Sequence, residues 1–253
     1  MKNKKRLILI GLMVLVLLFG GFYYRSHKTL SPSEIKKSLF SLFLKNNSET
    51  FTEKTDWYEV SIEYPKDNQK VKDEIFQMWE DFAKENQLKD FKTYEEAKKA
   101  LQLNAEGSKY VFNTTYELVH SPKTISYVYT VYTFTGGAHG ATNIHPITFN
   151  QELQYLSPER ILPDSLLAKV SALCYDDLVR QKKERMKSSG MSDKEIDSSI
   201  KDNSWLIEGT NPLRYNYSNV WYDGDDMVIS FGQYQVGPYV EGVYEVHIPM
   251  SKI

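Results

Sequence analysis

One histidine of this chain lies where it could present a titratable side chain to a ligand. Residues 133–140 read T-F-T-G-G-A-H-G, so three glycines surround His139 at the end of a long run of strand-forming residues. Glycine tolerates positive φ angles and lets a ligand or another backbone come close, so a glycine cluster at a strand end indicates a tight, exposed turn. We therefore predict a binding surface that includes Gly136, Gly137, His139 and Gly140.

A second loop combines aromatic and acidic side chains with turn-forming residues. Residues 233–242 read Q-Y-Q-V-G-P-Y-V-E-G. Loops that end strands cluster at the ends of a sheet, so we predict that both loops lie side by side at one sheet edge. Tyr234, Gln235, Tyr239 and Glu241 would complete the binding surface. In the competing interpretation, the glycines only satisfy turn geometry and Tyr239 packs into the core.

The residue types needed for common catalytic or metal sites lack the required spacing. No two histidines lie four residues apart on a helical segment, and the G-x-S-x-G, G-x-G-x-x-G and Walker motifs do not occur. We therefore predict no metal, no cofactor and no catalytic residue. The alternative is a hydrolase that uses His139 as base and Glu241 as acid, and it needs a nucleophile or metal that the sequence does not reveal. The histidines are His27, His120, His139, His145 and His247.

The N-terminus has the pattern of a membrane anchor. Residues 7–24 carry no charge over 18 positions, and four basic residues precede them. At about 1.5 Å per residue this run nearly matches a hydrocarbon core of about 30 Å, and basic flanks favour the cytoplasmic side. We predict a single-pass protein of the cell membrane whose C-terminal domain is extracytoplasmic. Its parts would be a cytoplasmic N-terminus (1–6), an uncleaved signal anchor (7–24), a tether with a juxtamembrane helix (25–50) and the outer domain (51–253).

The charge balance bears on possible partners. Without residues 1–25 the chain has 26 basic and 33 acidic side chains, a net charge of −7. Such a surface disfavours nucleic acid as a ligand and favours a cationic partner, although an acidic surface that only confers solubility has the same composition. Cys174 is the only cysteine, so no disulfide can form within the chain. The sequence does not indicate an oligomeric state.

The middle of the chain changes from one periodicity to another. Residues 57–64 alternate as in a half-buried strand, and apolar residues then recur at helical spacing between residues 68 and 87. A capping box at residue 93 starts a second helix. From residue 109 to residue 156 the period returns to two, which predicts an antiparallel meander.

The last third of the chain predicts helices and then strands. A helix from residue 166 ends at Gly190, and a short helix follows it. Strands are predicted over residues 213–222, 227–234 and 242–249. Helices grouped between blocks of antiparallel strands are typical of an α+β fold. We predict an antiparallel sheet with helices packed on one side, preceded by one N-terminal transmembrane helix.

Three segments carry a resemblance to a known family. A strand ending in Tyr64-Pro65, the T-F-T-G-G-A-H-G turn and the segment S-F-G-Q-Y-Q-V-G-P-Y-V-E-G before V-H-I-P resemble the extracytoplasmic domain of RsiV-type anti-sigma factors and of PdaC-type proteins. The resemblance covers roughly residues 55–253. It implies an exported, membrane-attached α+β domain, which binds lysozyme in the RsiV branch and accompanies a separate polysaccharide deacetylase domain in the PdaC branch.

The chain departs from both branches of this family. Six residues before the predicted span are too few for a sigma-factor-binding region, and we recognise no deacetylase domain after residue 55. The resemblance therefore implies a stand-alone domain of the bacterial cell envelope. We predict a binding module for a cell-wall glycan, such as peptidoglycan, or for a cationic protein such as lysozyme. A cell-envelope hydrolase or deacetylase-associated enzyme is the alternative.

Overall fold

The computed structural model describes residues 47–101, 109–201 and 203–253. Among these residues, no helix is both long enough and apolar enough to cross a bilayer. The predicted span at residues 7–24 and residues 25–46 of the predicted tether and juxtamembrane helix lie outside the described residues. Residues 48–50, the end of that predicted segment, belong to the first strand.

Six strands form the larger sheet, in the same order across the sheet as along the chain. Neighbouring strands are antiparallel, except that β2 and β3 run parallel. The turn that contains His139 joins β4 to β5. The strands are β1 (Ser48–Lys54), β2 (Tyr58–Pro65), β3 (Tyr110–His120), β4 (Thr124–Phe134), β5 (Ala141–Asn150) and β6 (Tyr155–Leu156).

Two helices, α1 (Gln69–Glu85) and α2 (Tyr94–Leu101), lie in the connection between β2 and β3. Parallel neighbours need such a crossover, because a tight hairpin can join only antiparallel strands. Helix α1 begins where the side chain of Asn68 accepts a 3.2 Å hydrogen bond from the backbone N–H of Val71. Its buried residues recur every four positions and pack on the sheet: Val71, Ile75, Trp79 and Ala83.

The core under α1 is rich in aromatic side chains. Trp57, Trp79 and Phe112 are almost completely buried. The ring centroids of Trp79 and Phe112 are 5.5 Å apart, and those of Trp57 and Tyr110 are 5.9 Å apart at a steep angle, which is a favourable arrangement for aromatic pairs. The same core includes Tyr129 of β4 and Ile147 of β5, so it holds the strands that carry the β4–β5 turn.

The second half of the chain builds its own core around one long helix and a smaller sheet. The long helix packs on three antiparallel strands through mostly aliphatic side chains, among them Val170 and Leu178. The elements are α3 (Pro158–Ile161), α4 (Asp164–Ser188), α5 (Asp193–Lys201), α6 (Ser204–Thr210), β7 (Val220–Asp223), β8 (Asp226–Phe231) and β9 (Tyr244–Pro249).

The two sheets meet through a small apolar cluster. Val119 of β3 is buried with Trp221 and Val228 of the smaller sheet, and Val128 and Ile144 pack against them. Because successive side chains of a strand point to opposite faces, these residues lie on the face of the larger sheet that α1 does not cover. Residues 47–253 thereby form one compact unit.

The α+β class is confirmed, whereas the prediction of one antiparallel sheet is wrong in two respects. The described residues form two sheets, and β2 pairs with β3 in parallel. The predicted strand at residues 213–222 is a 3-10 turn over Arg214–Tyr217 followed by the short strand β7. The Asn216 side chain explains this difference, because it donates hydrogen bonds to the carbonyls of Glu208 and Asn211 at 2.9 and 3.1 Å and so fixes a turn.

Candidate functional site

The β4–β5 turn presents His139 to solvent. Gly136 has a φ angle of +81°, which favours glycine, and Gly137 has open space where a side chain would extend. Gly140 is buried, and a Cβ atom there would clash with the Tyr132 ring, so only glycine fits. The geometry of the turn therefore needs glycine at positions 136 and 140 but not at 137, and the imidazole of His139 is exposed.

The His139 ring lies against the second predicted loop. It stacks on Tyr239 with ring centroids 3.7 Å apart and an interplanar angle of 21°. Its Nε2 atom is 3.1 Å from the Tyr234 hydroxyl, and its Nδ1 atom is 3.2 Å from the Gly140 carbonyl oxygen. Since a carbonyl can only accept, Nδ1 of the neutral ring donates and Nε2 accepts from Tyr234. The two loops thus lie side by side, although they belong to different sheets.

A tryptophan that the sequence interpretation missed extends this cluster. Trp205 lies at the start of α6, 38% exposed, with its ring centroid 5.7 Å from that of Tyr234. The Asn203 side chain caps α6 by accepting a 3.0 Å hydrogen bond from the backbone N–H of Leu206. We call Trp205, Tyr234, Tyr239 and His139 the aromatic platform.

Tyr234 adopts a backbone conformation that is rare for its residue type. Its φ angle is +65° and its side chain is 51% exposed. Such conformations persist only where the surroundings enforce them, and they are common at binding sites. Here the next residue supplies the constraint, since Gln235 Oε1 accepts from Gly232 N–H at 3.0 Å and its Nε2 donates to the Asn216 carbonyl at 3.0 Å. These two hydrogen bonds occupy the side-chain amide of Gln235. They fix the backbone next to Tyr234, whose side chain remains exposed.

Glu241 lies in a polar cluster behind the platform. Its carboxylate forms an ion pair with Lys182 of α4 and accepts a 2.6 Å hydrogen bond from the Tyr244 hydroxyl. The Lys182 side chain is completely buried, and Arg185 donates to the Glu241 carbonyl at 2.6 Å. Burial raises the pKa of the Tyr244 hydroxyl, and the hydrogen bond to Glu241 raises it further.

Among the described residues no hydrogen bond joins His139 to Glu241, the two residues that a hydrolytic site would pair. His139 contacts Tyr234 and Tyr239, whereas the Glu241 carboxylate contacts Lys182 and Tyr244. Within the described residues no three His, Cys, Asp or Glu side chains are grouped so that they could hold a metal ion. The site therefore offers the exposed rings of His139, Trp205 and Tyr234 beside the half-buried ring of Tyr239. The ion pair of Glu241 with the buried Lys182 supports the same loop.

Two family matches cover most of the described chain. Residues 51–142 match the family described as Deacetylase PdaC, and residues 161–251 match the family described as Protein of unknown function (DUF3298). The peptidoglycan-N-acetylmuramic acid deacetylase PdaC of Bacillus subtilis is 28% identical over 143 residues. That match covers 55% of this chain and 27% of the Bacillus protein, so the chain spans about a quarter of that relative.

A solved structure of the DUF3298 family has a related fold. A member from Bacteroides fragilis superposes with a TM-score of 0.51 at 18% identity, over 81% of this chain and 89% of that one. A Pseudomonas aeruginosa member gives a TM-score of 0.48 at 12% identity, over 81% and 91%. The β4–β5 turn lies in the first matched region, and Trp205, Tyr234 and Tyr239 lie in the second. The predicted resemblance to PdaC-type proteins is confirmed, with a region similar to PdaC followed by a region similar to DUF3298.

Proposed function

We propose that this chain is a membrane-anchored module that binds a cell-wall glycan outside the cytoplasm. The observation that carries the proposal is the aromatic platform, in which four rings from three separate segments meet at the surface. On a soluble domain, a cluster of exposed aromatic side chains is typical of a binding site.

The chemistry of the platform suits a sugar ring. The face of an aromatic ring is electron-rich and attracts the positively polarised C–H groups on the flat side of a pyranose. The Tyr234 hydroxyl and the His139 imidazole supply polar groups at the ring edges. Tyrosine and tryptophan also offer a large contact area at a small cost in side-chain entropy. The Bacillus relative is named as a deacetylase of peptidoglycan, and this supports a glycan as the ligand.

The proposed location rests on the N-terminal sequence. The uncharged run at residues 7–24 follows four basic residues, which favours an anchor with its N-terminus in the cytoplasm. The outer domain would then face the cell wall. Protease added to intact spheroplasts should remove this domain, and a fully protected domain would contradict the proposed topology.

Binding to purified peptidoglycan tests the proposed ligand. The full chain in detergent micelles is mixed with insoluble peptidoglycan and sedimented. We expect Tyr239→Ala to weaken binding at least about tenfold, because it removes the ring at the centre of the platform. Tyr215→Ala is the matched control, since Tyr215 is 71% exposed and takes no part in the platform. Equal binding by both variants and the unchanged chain would refute the proposal.

Two further measurements on the same sample address the competing functions. Release of acetate or of new reducing ends from peptidoglycan would favour an enzyme. Binding of lysozyme in place of glycan would favour recognition of a cationic protein, which the net charge of −7 beyond residue 25 also suits.

A further inference from the structure

A row of uncharged polar side chains crosses five strands of the larger sheet. The registers place Thr52 opposite Ser61, Ser61 opposite Asn113, Asn113 opposite Tyr132, and Tyr132 opposite Thr142. Residues that are directly opposite on paired strands share one face of the sheet. At about 4.8 Å per strand, the four spacings make the row roughly 19 Å long. We call these five residues the polar row.

The side chains of the polar row are accessible to solvent, and their polar atoms are free of hydrogen bonds to the described residues. Thr52, Asn113 and Tyr132 are exposed, and Ser61 and Thr142 are half-buried. Within residues 47–101, 109–201 and 203–253, none of the five side chains has a hydrogen-bond partner. Their hydroxyl and amide groups are therefore available to a ligand in exchange for water.

Charged residues lie on both sides of the polar row but not in it. On one side, Lys54 and Glu59 form a 2.8 Å ion pair and are themselves directly opposite in the register. On the other side, Glu63 lies opposite Thr50. A polyanion would find no unpaired cation here and would be repelled by Glu63. The side chains of the polar row instead suit an uncharged polymeric ligand that carries hydroxyl and amide groups.

The polar row runs into the aromatic platform. The Tyr132 ring packs directly on Gly140, the residue after His139. At the same end, the backbone N–H of Thr142 donates a 2.7 Å hydrogen bond to the Gln233 side chain, and Gln233 precedes Tyr234. A ligand on the polar row can therefore continue onto the platform without crossing a charged residue.

We propose that the polar row is a second contact zone of the same site, and that the site takes an extended, uncharged, N-acetylated glycan. One end of the glycan stacks on the aromatic platform, while its hydroxyl and acetamido groups bond to the polar row. Asn113 is central in this zone, because its amide can donate and accept at once and so matches an acetamido group. This inference rests on the proposed function and adds the length and the charge class of the ligand.

Oligomers of β-linked N-acetylglucosamine with two and with six units test the inference, with the full chain titrated by calorimetry. The two-unit probe reaches only the platform, whereas the six-unit probe reaches the polar row. We expect the six-unit probe to bind about tenfold more tightly. Asn113→Leu combined with Thr52→Val should abolish this gain and leave the two-unit affinity unchanged. Thr115→Val is the matched control, since Thr115 is an exposed threonine of β3 outside the polar row.

The outcomes separate the polar row from the platform. If both oligomers bind the unchanged chain equally, or if Asn113→Leu with Thr52→Val keeps the gain, the polar row has no role. If Tyr239→Ala leaves the two-unit affinity intact, the proposed function fails instead, and no binding of either probe rejects both ideas. Asn113→Ala provides a second variant in case the double variant is unstable, and circular dichroism melts check the folding of each.

Discussion

The β4–β5 turn (135–140) and the β8–β9 loop (232–243) meet at the aromatic platform, but they are held in different ways. In the turn, Gly136 and Gly137 have no neighbouring atoms where a side chain would extend. In the loop, a Cβ atom on Gly237 would lie 2.6 Å from Lys182 Nζ, so the backbone packs directly on the ion pair of Lys182 and Glu241. One loop is held at its ends, and the other is held along its length.

This difference shows which residues hold the side chains of the site in position. The β8–β9 loop presents Tyr234 and Tyr239 from a frame made by Gln235, Lys182 and Arg185. His139 gains its position by stacking on Tyr239. A surface whose side chains are already positioned loses less entropy when it binds, so the frame behind the loop contributes to affinity without touching a ligand.

The largest expected effect concerns the ion pair behind the loop. Glu241→Ala should lower the free energy of unfolding by about 3 to 5 kcal/mol, because it leaves the buried Lys182 without its counter-charge. Denaturant melts measure this loss. Glu245→Ala is the matched control, since Glu245 is an exposed carboxylate four residues further along and should change stability by less than about 0.5 kcal/mol. Similar small losses in both variants would mean that the ion pair does not hold the loop.

A pair of glycine substitutions compares the two loops directly. Gly237→Ala should cost about 1 to 3 kcal/mol, because the added methyl group meets Lys182 and Glu241 in a packed interior. Gly137→Ala should stay within about 0.5 kcal/mol, since its methyl group would extend into open space and its φ angle is not positive. Equal costs in chemical unfolding would contradict the difference between the loops.

Alkaline pH should loosen the frame of the loop through Tyr244. Burial and the hydrogen bond to Glu241 raise the pKa of this hydroxyl above the ordinary value of about 10. The folded chain then keeps a proton that the unfolded chain loses, so the stabilisation is complete below about pH 10 and is lost as the pH rises through the folded pKa. The loss amounts to at most about 1.4 kcal/mol per pH unit.

The Tyr244→Phe variant isolates this contribution from that of other tyrosines. Burial also raises the pKa of Tyr58, to about 12, and that of Tyr129, so the unchanged chain loses stability above about pH 10 for several reasons. Melts at intervals between pH 8 and pH 11 should show a shallower decline for Tyr244→Phe than for the unchanged chain. Parallel curves would show that Tyr244 titrates normally.

Several features of the fold could be predicted because they depend on local periodicity. In β3, β4 and β5 buried and exposed side chains tend to alternate, and in α1 the buried residues recur every four positions. Both patterns arise because only one face of each element packs on the core. The parallel pairing of β2 with β3 was missed, since alternation does not distinguish parallel from antiparallel neighbours. The two predicted helices between these strands were the available signal, because a crossover is what parallel pairing requires.

The candidate site could be predicted only in part. The contact of His139 with Tyr239 followed from glycine-rich strand ends, which have a local signature. Trp205 was missed because its helix spans only Ser204–Thr210 and has too few turns for a clear period. Lys182 has no local signal within the predicted helix that ends at Gly190, since its partner Glu241 is distant in the sequence. The binding roles of the predicted residues stay predictions.

Replacement of His139 should have the smallest effect on stability but a large effect on binding. His139→Ala removes a ring that stacks on Tyr239 and accepts from Tyr234, but both tyrosines remain supported by the β8–β9 loop, and water replaces the lost hydrogen-bond partner. The free energy of unfolding should therefore change by less than about 0.5 kcal/mol.

His247→Ala, at an exposed histidine on β9, is the control for losing an imidazole elsewhere on the surface. If peptidoglycan binding weakens in His139→Ala and not in His247→Ala, while both melt like the unchanged chain, the turn serves the ligand and not the fold. If His139→Ala instead destabilises the chain and leaves binding intact, the turn supports the loop, which reverses the relation inferred here.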